Sequence, residues 1–348
     1  MTDSTLAPVT GNVSGPDEEV RDGIAPDEAR RRSAAGFASV VDLVDRGELE
    51  FPLPGRGRTA ERLAALQSVA EDDLSLARLV EGHVDALAIL AELDGPAPRP
   101  GQRWGVWAAE PPGTTLEAVR SDDTWVLDGL KPYCSGARSC THALVTARTA
   151  EGRRLFAVTV EPDTCVPVAG TWQAVGMAGS DTPDVRFHHV PAVAVGDVES
   201  YVRRPGFEHG GIGVAACWYG GAVAVARALR EAAARRPEPH TDAHLGAVDV
   251  QLHAAGAVLR QAAAEIDADP LDTRGEARVR AMRVRALVES VCSEVLTRVG
   301  RATGAGPLCH DLGHARAVAD LTVYLRQHHG ERDLAALGAL LARPEESA

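Results

Sequence analysis

The sequence predicts an α+β protein in three parts: N-terminal helices, a small middle β domain and a C-terminal helical bundle. Three observations carry this reading. Apolar residues recur at helical spacing from Pro26 to Asp94, and Gly95-Pro-Ala-Pro-Arg-Pro-Gly101 then breaks the pattern. Short β-like runs separated by turns follow, up to Pro205-Gly206. Beyond them the chain becomes rich in Ala, Leu, Val and Arg over long stretches, as stacked helices require. The boundaries expected from these changes are a disordered tail over 1–25, a shortened N-terminal helical domain over 26–95, a middle β domain over 96–205 and a helical bundle over 206–345.

In the first helical part, Val40, Val41, Leu43 and Val44 mark one helix, and Leu63, Leu66, Val69 and Ala70 mark a second. After Asp72-Asp73, a third carries Leu76, Leu79, Val80, His83, Leu87 and Leu90. The expected strands are Trp104–Ala108, Trp125–Leu127, Ala143–Ala147, Leu155–Val160, Val185–Val190 and Val193–Val195, with Asp128-Gly129 as a hairpin turn. Long helices are expected over Ile212–Arg235, Leu245–Asp267, Glu276–Gly300 and Ala315–Leu341. Gly210-Gly211-Ile-Gly213 would open the first of these, where a helix N-terminus could receive an anion or simply pack.

Composition narrows the function. The 348 residues are 45% hydrophobic and 24% charged, as in an ordinary globular protein, and long enough to bury a bulky cofactor. A formal net charge of −13 opposes nonspecific binding to nucleic acid or anionic lipid. No run reads as a membrane span and Met1–Gly23 is not signal-like, so a cytoplasmic location is expected. The six cysteines include no C-x-x-C pair and read as reduced, packed thiols. Cys309 with His310 and His314 could hold a metal, but no second matched pair accompanies them, and no metal site is expected. The patterns G-x-S-x-G, G-x-x-x-x-G-K-S/T and, in a β-α setting, G-x-G-x-x-G do not occur.

Four ordered stretches carry a resemblance. They are Ala108-Ala-Glu110-Pro-Pro-Gly113; Gly129-Leu-Lys131-Pro-Tyr133-Cys134-Ser135-Gly136; Gly176-Met-Ala-Gly-Ser-Asp181 with Val185-Arg-Phe-His-His-Val-Pro191; and Gly304-Ala-Gly306-Pro. In order and spacing, over about residues 50–345, the chain resembles the acyl-CoA dehydrogenase family. That resemblance implies a middle β-barrel, bound FAD and a fold closing around it. It implies that the Ser135 hydroxyl donates to the flavin at N5 or O4, atoms that gain electron density on reduction, with Tyr133 stacking and Cys134 between them. Gly304 and Gly306 would let backbone amides approach the cofactor diphosphate. As turn or helix-cap residues, the same positions need no cofactor.

In the family a carboxylate from the C-terminal helices takes the α-proton while a hydride passes to the flavin. Here Asp320–Asp333 occupies that place, and His328 stands where the glutamate would be. His328, His329 and Glu331 are the candidate catalytic residues, or else a helix cap with exposed charges. The family's Arg-x-x-Phe-Gly is represented only by Arg235-Arg-Pro-Glu-Pro239, without Phe-Gly. The implied function is α,β-dehydrogenation of an acyl thioester, on CoA or a carrier protein, by a homodimer or homotetramer served by an electron-acceptor flavoprotein. The alternatives are a two-component flavin monooxygenase supplied by a flavin reductase, and a catalytically degenerate partner subunit.

Overall fold

The computed structural model describes residues 26–342 apart from residues 114, 122 and 123, so the tail expected over 1–25 lies outside it. Helices α1 (Pro26–Asp45), α2 (Thr59–Asp72) and α3 (Leu74–Glu92) come first. Asp73 separates α2 from α3: its backbone is extended, and its carboxylate caps α3 by accepting from the Leu76 N–H at 2.9 Å.

Among the described residues seven strands follow: β1 (Trp104–Trp107), β2 (Leu116–Ser121), β3 (Thr124–Lys131), β4 (His142–Thr149), β5 (Gly152–Thr159), β6 (Cys165–Pro167) and β7 (Val185–Val195). They run in the order β1-β4-β2-β3-β7-β5, and β4 also pairs with β5, which closes a small barrel. β1 joins it parallel to β4, and β6 joins it beside β7.

Several expectations are corrected here. Asp128-Gly129 is not a hairpin turn but lies inside β3, where Gly129 at φ 126° takes up a register shift against β7. The hairpin instead joins β2 to β3, with Ser121 opposite Thr124, and β2 and β6 were not anticipated. The two runs expected on either side of Pro191 form one strand, β7. Pro191 is tolerated because its partner Val126 lies on β3, whereas β6 pairs only with 185–187 and β5 only with 193–195. At Pro191 the other side of β7 has no ladder bond to lose.

The helical part comprises α4 (Ser200–Arg203), α5 (Pro205–Arg235), α6 (Pro239–Ala268), α7 (Ala277–Thr303), α8 (Gly306–His310), α9 (Leu312–Tyr324) and α10 (Glu331–Ala342). α5 and α6 begin earlier than expected because Pro205 and Pro239 each occupy a first-turn position, where a missing N–H costs nothing. Gly210, Gly211 and Gly213 therefore lie inside α5 rather than at its N-terminus. The single helix expected over Ala315–Leu341 is two, because His328 is extended and Gly330 takes φ 55°.

α5 is the axis of the bundle and packs against α2, α3, α6, α7 and α9. Ile212, Trp218 and Leu229 on it are fully buried, each contributing about 1.5–3 kcal/mol by burial. Contrary to the expectation that no run could span a bilayer, α5 is long and apolar enough to do so. Its most apolar 18-residue window is 72% buried within the protein, as for a core helix.

The barrel meets the helices along α3. His83 on α3 is 3% exposed, and its Nδ1 accepts the Trp104 N–H of β1 at 3.2 Å. Burial lowers its pKa to about 4, so it stays neutral in the folded chain. As pH falls from about 6.5 towards 4, the unfolded chain gains a proton that folded His83 refuses, and stability declines. His83→Gln, which can still accept the N–H, is expected to flatten that acid-side decline. Urea unfolding at pH 7.5 and 5 checks this.

Candidate active site

The sequence-selected residues Tyr133, Cys134 and Ser135 lie on a tight turn after β3. Lys131 anchors the turn: it is 2% exposed, and its ammonium donates to the Thr146 carbonyl and hydroxyl at 2.7 Å each. Thr146 in turn donates to Glu110 at 2.7 Å. Burial lowers the Lys131 pKa to about 8. Tyr133 sits in the left-handed region at φ 56° and is 53% exposed, an aromatic ring held outwards by a backbone that few side chains adopt. Cys134 is fully buried, its N–H donating to the Pro183 carbonyl at 2.9 Å, and burial raises its thiol pKa.

Ser135 heads a chain of hydroxyls. Ser180 Oγ donates to the Met177 carbonyl at 2.9 Å and lies 2.8 Å from Thr182 Oγ1, which in turn lies 3.3 Å from Ser135 Oγ. The Ser135 carbonyl accepts the Trp107 indole N–H at 2.9 Å. The 3.3 Å contact with Thr182 is the one hydrogen bond of the Ser135 hydroxyl among the described residues, and it is a long one. An acceptor against this turn can draw the Ser135 proton away from that weak contact.

The far end of that chain is fixed to α9. Asp320 is 6% exposed and accepts from the Met177 N–H at 2.5 Å and the Ser75 hydroxyl at 3.4 Å. Burial raises its pKa to about 6. Gly176 allows this contact, since a Cβ there would lie 2.0 Å from the Ala319 carbonyl oxygen. That Ser180, Thr182 and Asp320 link up with Ser135 was not legible in the sequence, because the link exists only in space.

The other selected residues lie elsewhere. His328 is 6% exposed, its Nδ1 accepts from the Gly330 N–H at 3.2 Å, and its Nε2 lies 3.8 Å from Asp333. Burial lowers its pKa, and in the neutral form this pattern puts the proton on Nε2, leaving no free lone pair. His329 is exposed and its N–H donates to Asp333 at 3.0 Å, while Glu331 is exposed at the start of α10. Gly304 stands in the exposed turn between α7 and α8, and Gly306 is the exposed first residue of α8. Gly304 is about 28 Å along the α7 axis from Arg285, which donates to the Gln327 carbonyl beside His328. One chain therefore does not bring these glycines to the histidine end of the site. Cys309 and His310 are exposed, and among the described residues no His, Cys, Asp and Glu set is grouped to hold a metal.

A charged cluster that sequence reasoning missed lies beside the turn. On α3, Arg78 and Glu81 form an ion pair at 2.6 Å, and Arg78 is also within electrostatic reach of Cys140 at the end of the turn. Glu81 is 6% exposed, and burial with the nearby Asp85 raises its pKa to about 7 against the pull of Arg78. Tyr324 of α9 and Cys217 of α5 face the same pair. The one signal in the sequence was a pair of opposite charges three residues apart, which on a helix ordinarily marks a solvated face.

No family model matches this sequence, and no curated protein matches it either. Solved structures do match in fold. Dibenzothiophene monooxygenase (TdsC) from Paenibacillus sp. A11-2 is 19% identical, with a TM-score of 0.73 over 91% of this chain and 96% of that one. Butyryl-CoA dehydrogenase from Megasphaera elsdenii is 16% identical, with a TM-score of 0.72 over 92% and 94%. A nitrososynthase from Micromonospora carbonacea var. africana is 20% identical, with a TM-score of 0.67 over 92% and 95%. The chain has the α+β acyl-CoA dehydrogenase fold: N-terminal helices, a small β-barrel and a C-terminal helical bundle. TdsC has also been solved with FMN and indole.

The Asp320 contact yields a stability prediction. Asp320→Ala leaves the buried Met177 N–H without its acceptor and is expected to cost about 1–3 kcal/mol of unfolding free energy. Asp320→Asn, which keeps an acceptor, is expected to cost less. Equal midpoints in urea for all three proteins would show that the contact adds no stability.

Proposed function

We propose that the chain is a flavin-dependent oxidoreductase whose flavin lies against the Tyr133–Gly136 turn. The observation that carries this reading is the Ser135 hydroxyl, held only by a 3.3 Å contact with Thr182, beside an outward-facing Tyr133 ring. These residues fit an isoalloxazine ring: Ser135 would donate to its electron-rich edge and Tyr133 would cover its face. The flavin supplies hydride uptake, or oxygen activation when reduced. The chain's own residues orient it and handle protons. FAD suits the exposed Gly304–Gly306 turn as a diphosphate contact. That contact requires a second copy of the chain, so a homodimer or homotetramer belongs to the same proposal.

Of the two chemistries the fold accommodates, monooxygenation with a reductase supplying reduced flavin is the better supported. His328 stands where a thioester dehydrogenase would need a carboxylate, and its Nδ1 lone pair is already taken by Gly330. The interior beside the turn is charged, which suits a polar substrate better than an apolar acyl chain. One observation favours acyl thioester dehydrogenation on CoA or a carrier protein, with an electron-acceptor flavoprotein: buried Glu81 is poised near neutral pH to take a proton.

The test is the visible spectrum of the protein reconstituted with FMN or FAD. Bleaching by acyl-CoAs without oxygen would select dehydrogenation. Substrate-dependent oxygen consumption with a reductase would select monooxygenation. Protein that takes up neither flavin would refute the proposal and leave a degenerate partner subunit. Ser135→Ala is expected to weaken flavin retention by about five- to tenfold, the loss of one hydrogen bond, as read by equilibrium dialysis.

A further inference from the structure

The charged cluster beside the turn contains two guanidiniums that no carboxylate meets directly. Arg78 is answered by Glu81 at 2.6 Å, and Arg204 by Glu92 at 2.7 Å and Asp85 at 3.8 Å. Arg62 and Arg285 have no such partner. Arg62 is 5% exposed and donates to the Pro52 carbonyl at 3.2 Å. Arg285 is half-buried over the Trp218 ring, 4.6 Å from its centre, and donates to the Gly211 carbonyl at 2.9 Å and the Gln327 carbonyl at 3.2 Å. Among the described residues neither guanidinium lies within 4.0 Å of a carboxylate. Burying an unanswered charge is costly, and here burial lowers the pKa of both groups.

Both guanidiniums lie within electrostatic reach of Glu81. A second observation points the same way. The Trp218 indole N–H is fully buried beneath Arg285 and makes no hydrogen bond among the described residues, and the Arg204 Nε–H is likewise unused. The cluster thus offers two guanidiniums without a direct carboxylate partner and two unused donors, with Arg285 only half-buried.

We propose that this cluster is the substrate-recognition part of the site and takes a substrate bearing a carboxylate or phosphate, seated between Arg62 and Arg285 beside Glu81. This rests on the flavin reading for its meaning as a substrate site, but anion binding can be measured without a flavin. Bidentate N–H pairs on planar guanidiniums match either anion.

Glu81 makes the binding pH-dependent in a defined direction. Its surroundings are Arg78 and Asp85 on α3, Arg62 on α2, Cys217 on α5, Arg285 on α7 and Tyr324 on α9, with Glu208 on α5 and Asp333 on α10 acting on Arg285 in turn. Tyr201 and Arg204 close the side next to Asp85. Of these, only Glu81 has a pKa raised to about 7. Ionised Glu81 competes with an incoming anion for the guanidiniums; protonated Glu81 does not. Affinity should therefore rise as pH falls through about 7, with one proton taken up.

The experiment titrates flavin-free protein with sodium sulfate, which does not itself ionise between pH 6 and 8, against sodium chloride at matched ionic strength, reading tryptophan fluorescence. The wild type is expected to show a saturable sulfate-specific change about tenfold tighter at pH 6 than at pH 8. Glu81→Gln should bind tightly with no pH dependence. Arg62→Gln and Arg285→Gln should each weaken binding by about tenfold or more, while Arg58→Gln, an exposed control, should not. Circular dichroism identifies any variant that fails to fold, and Glu81→Gln then stands as the deciding variant. No saturable change, or equal binding in Arg285→Gln and wild type, would overturn the proposal. Flavin uptake is scored separately, so a protein that holds flavin but not sulfate refutes only the anion site, and one that holds sulfate but not flavin refutes only the oxidoreductase reading.

Discussion

The carboxylate of Asp320 is the point at which barrel, N-terminal helices and C-terminal helices are held together. One oxygen accepts from the Met177 N–H in the loop before β7, and the other from Ser75 on α3. A parallel tie runs close by, where Arg316 on α9 meets Asp73, the cap of α3, at 3.2 Å. The loop can reach α9 only because residue 176 is glycine. From Met177 the hydroxyls of Ser180, Thr182 and Ser135 extend this fixed point to the turn, so Ser135 is oriented by a helix that it does not touch. Preorganisation of this kind is what a site needs if its hydrogen bonds are to act without reorganising when charge develops.

The second determinant is how charge is distributed around α5. On the far side of the bundle, α5 meets α6 and α7 through Ala, Val and Leu. Near α3 it presents Gly210 and Gly211, the one close to Asp85 and the other to Arg285. Small residues there let charged side chains from neighbouring helices occupy space that larger apolar ones would fill. The interior is therefore apolar where it only has to pack and ionic next to the turn.

The sequence made the fold more legible than the site. α1, α2 and α3 followed from the 3.6-residue period, and β1, β4 and β5 from short apolar runs between turns. Local rules failed where a neighbour overrode them. Asp128-Gly129 has the composition of a turn but is held as a bulge by β7, and Pro191 does not end its strand because its free side faces no partner. At the site, Tyr133, Cys134 and Ser135 could be selected because they are contiguous and resemble a known stretch. Arg62, Glu81 and Arg285 could not, since they come from three helices and each reads alone as a surface charge. Their burial is a property of how α2, α3 and α7 enclose α5. The 328–331 segment was identifiable as a place, but its geometry is that of a tie between α9 and α10.

The closure of the barrel also limits how this protein can associate with other chains. A sheet with open sides offers rows of unpaired amides that recruit foreign strands. Here β4 and β5 pair with each other, β6 is three residues long, and the outer side of β1 lies along α3, with His83 on the Trp104 amide and Gly82 beside that of Val106. Among the described residues little strand edge remains for cross-chain extension of the sheet, and α3 is the element that shields the outer edge of β1.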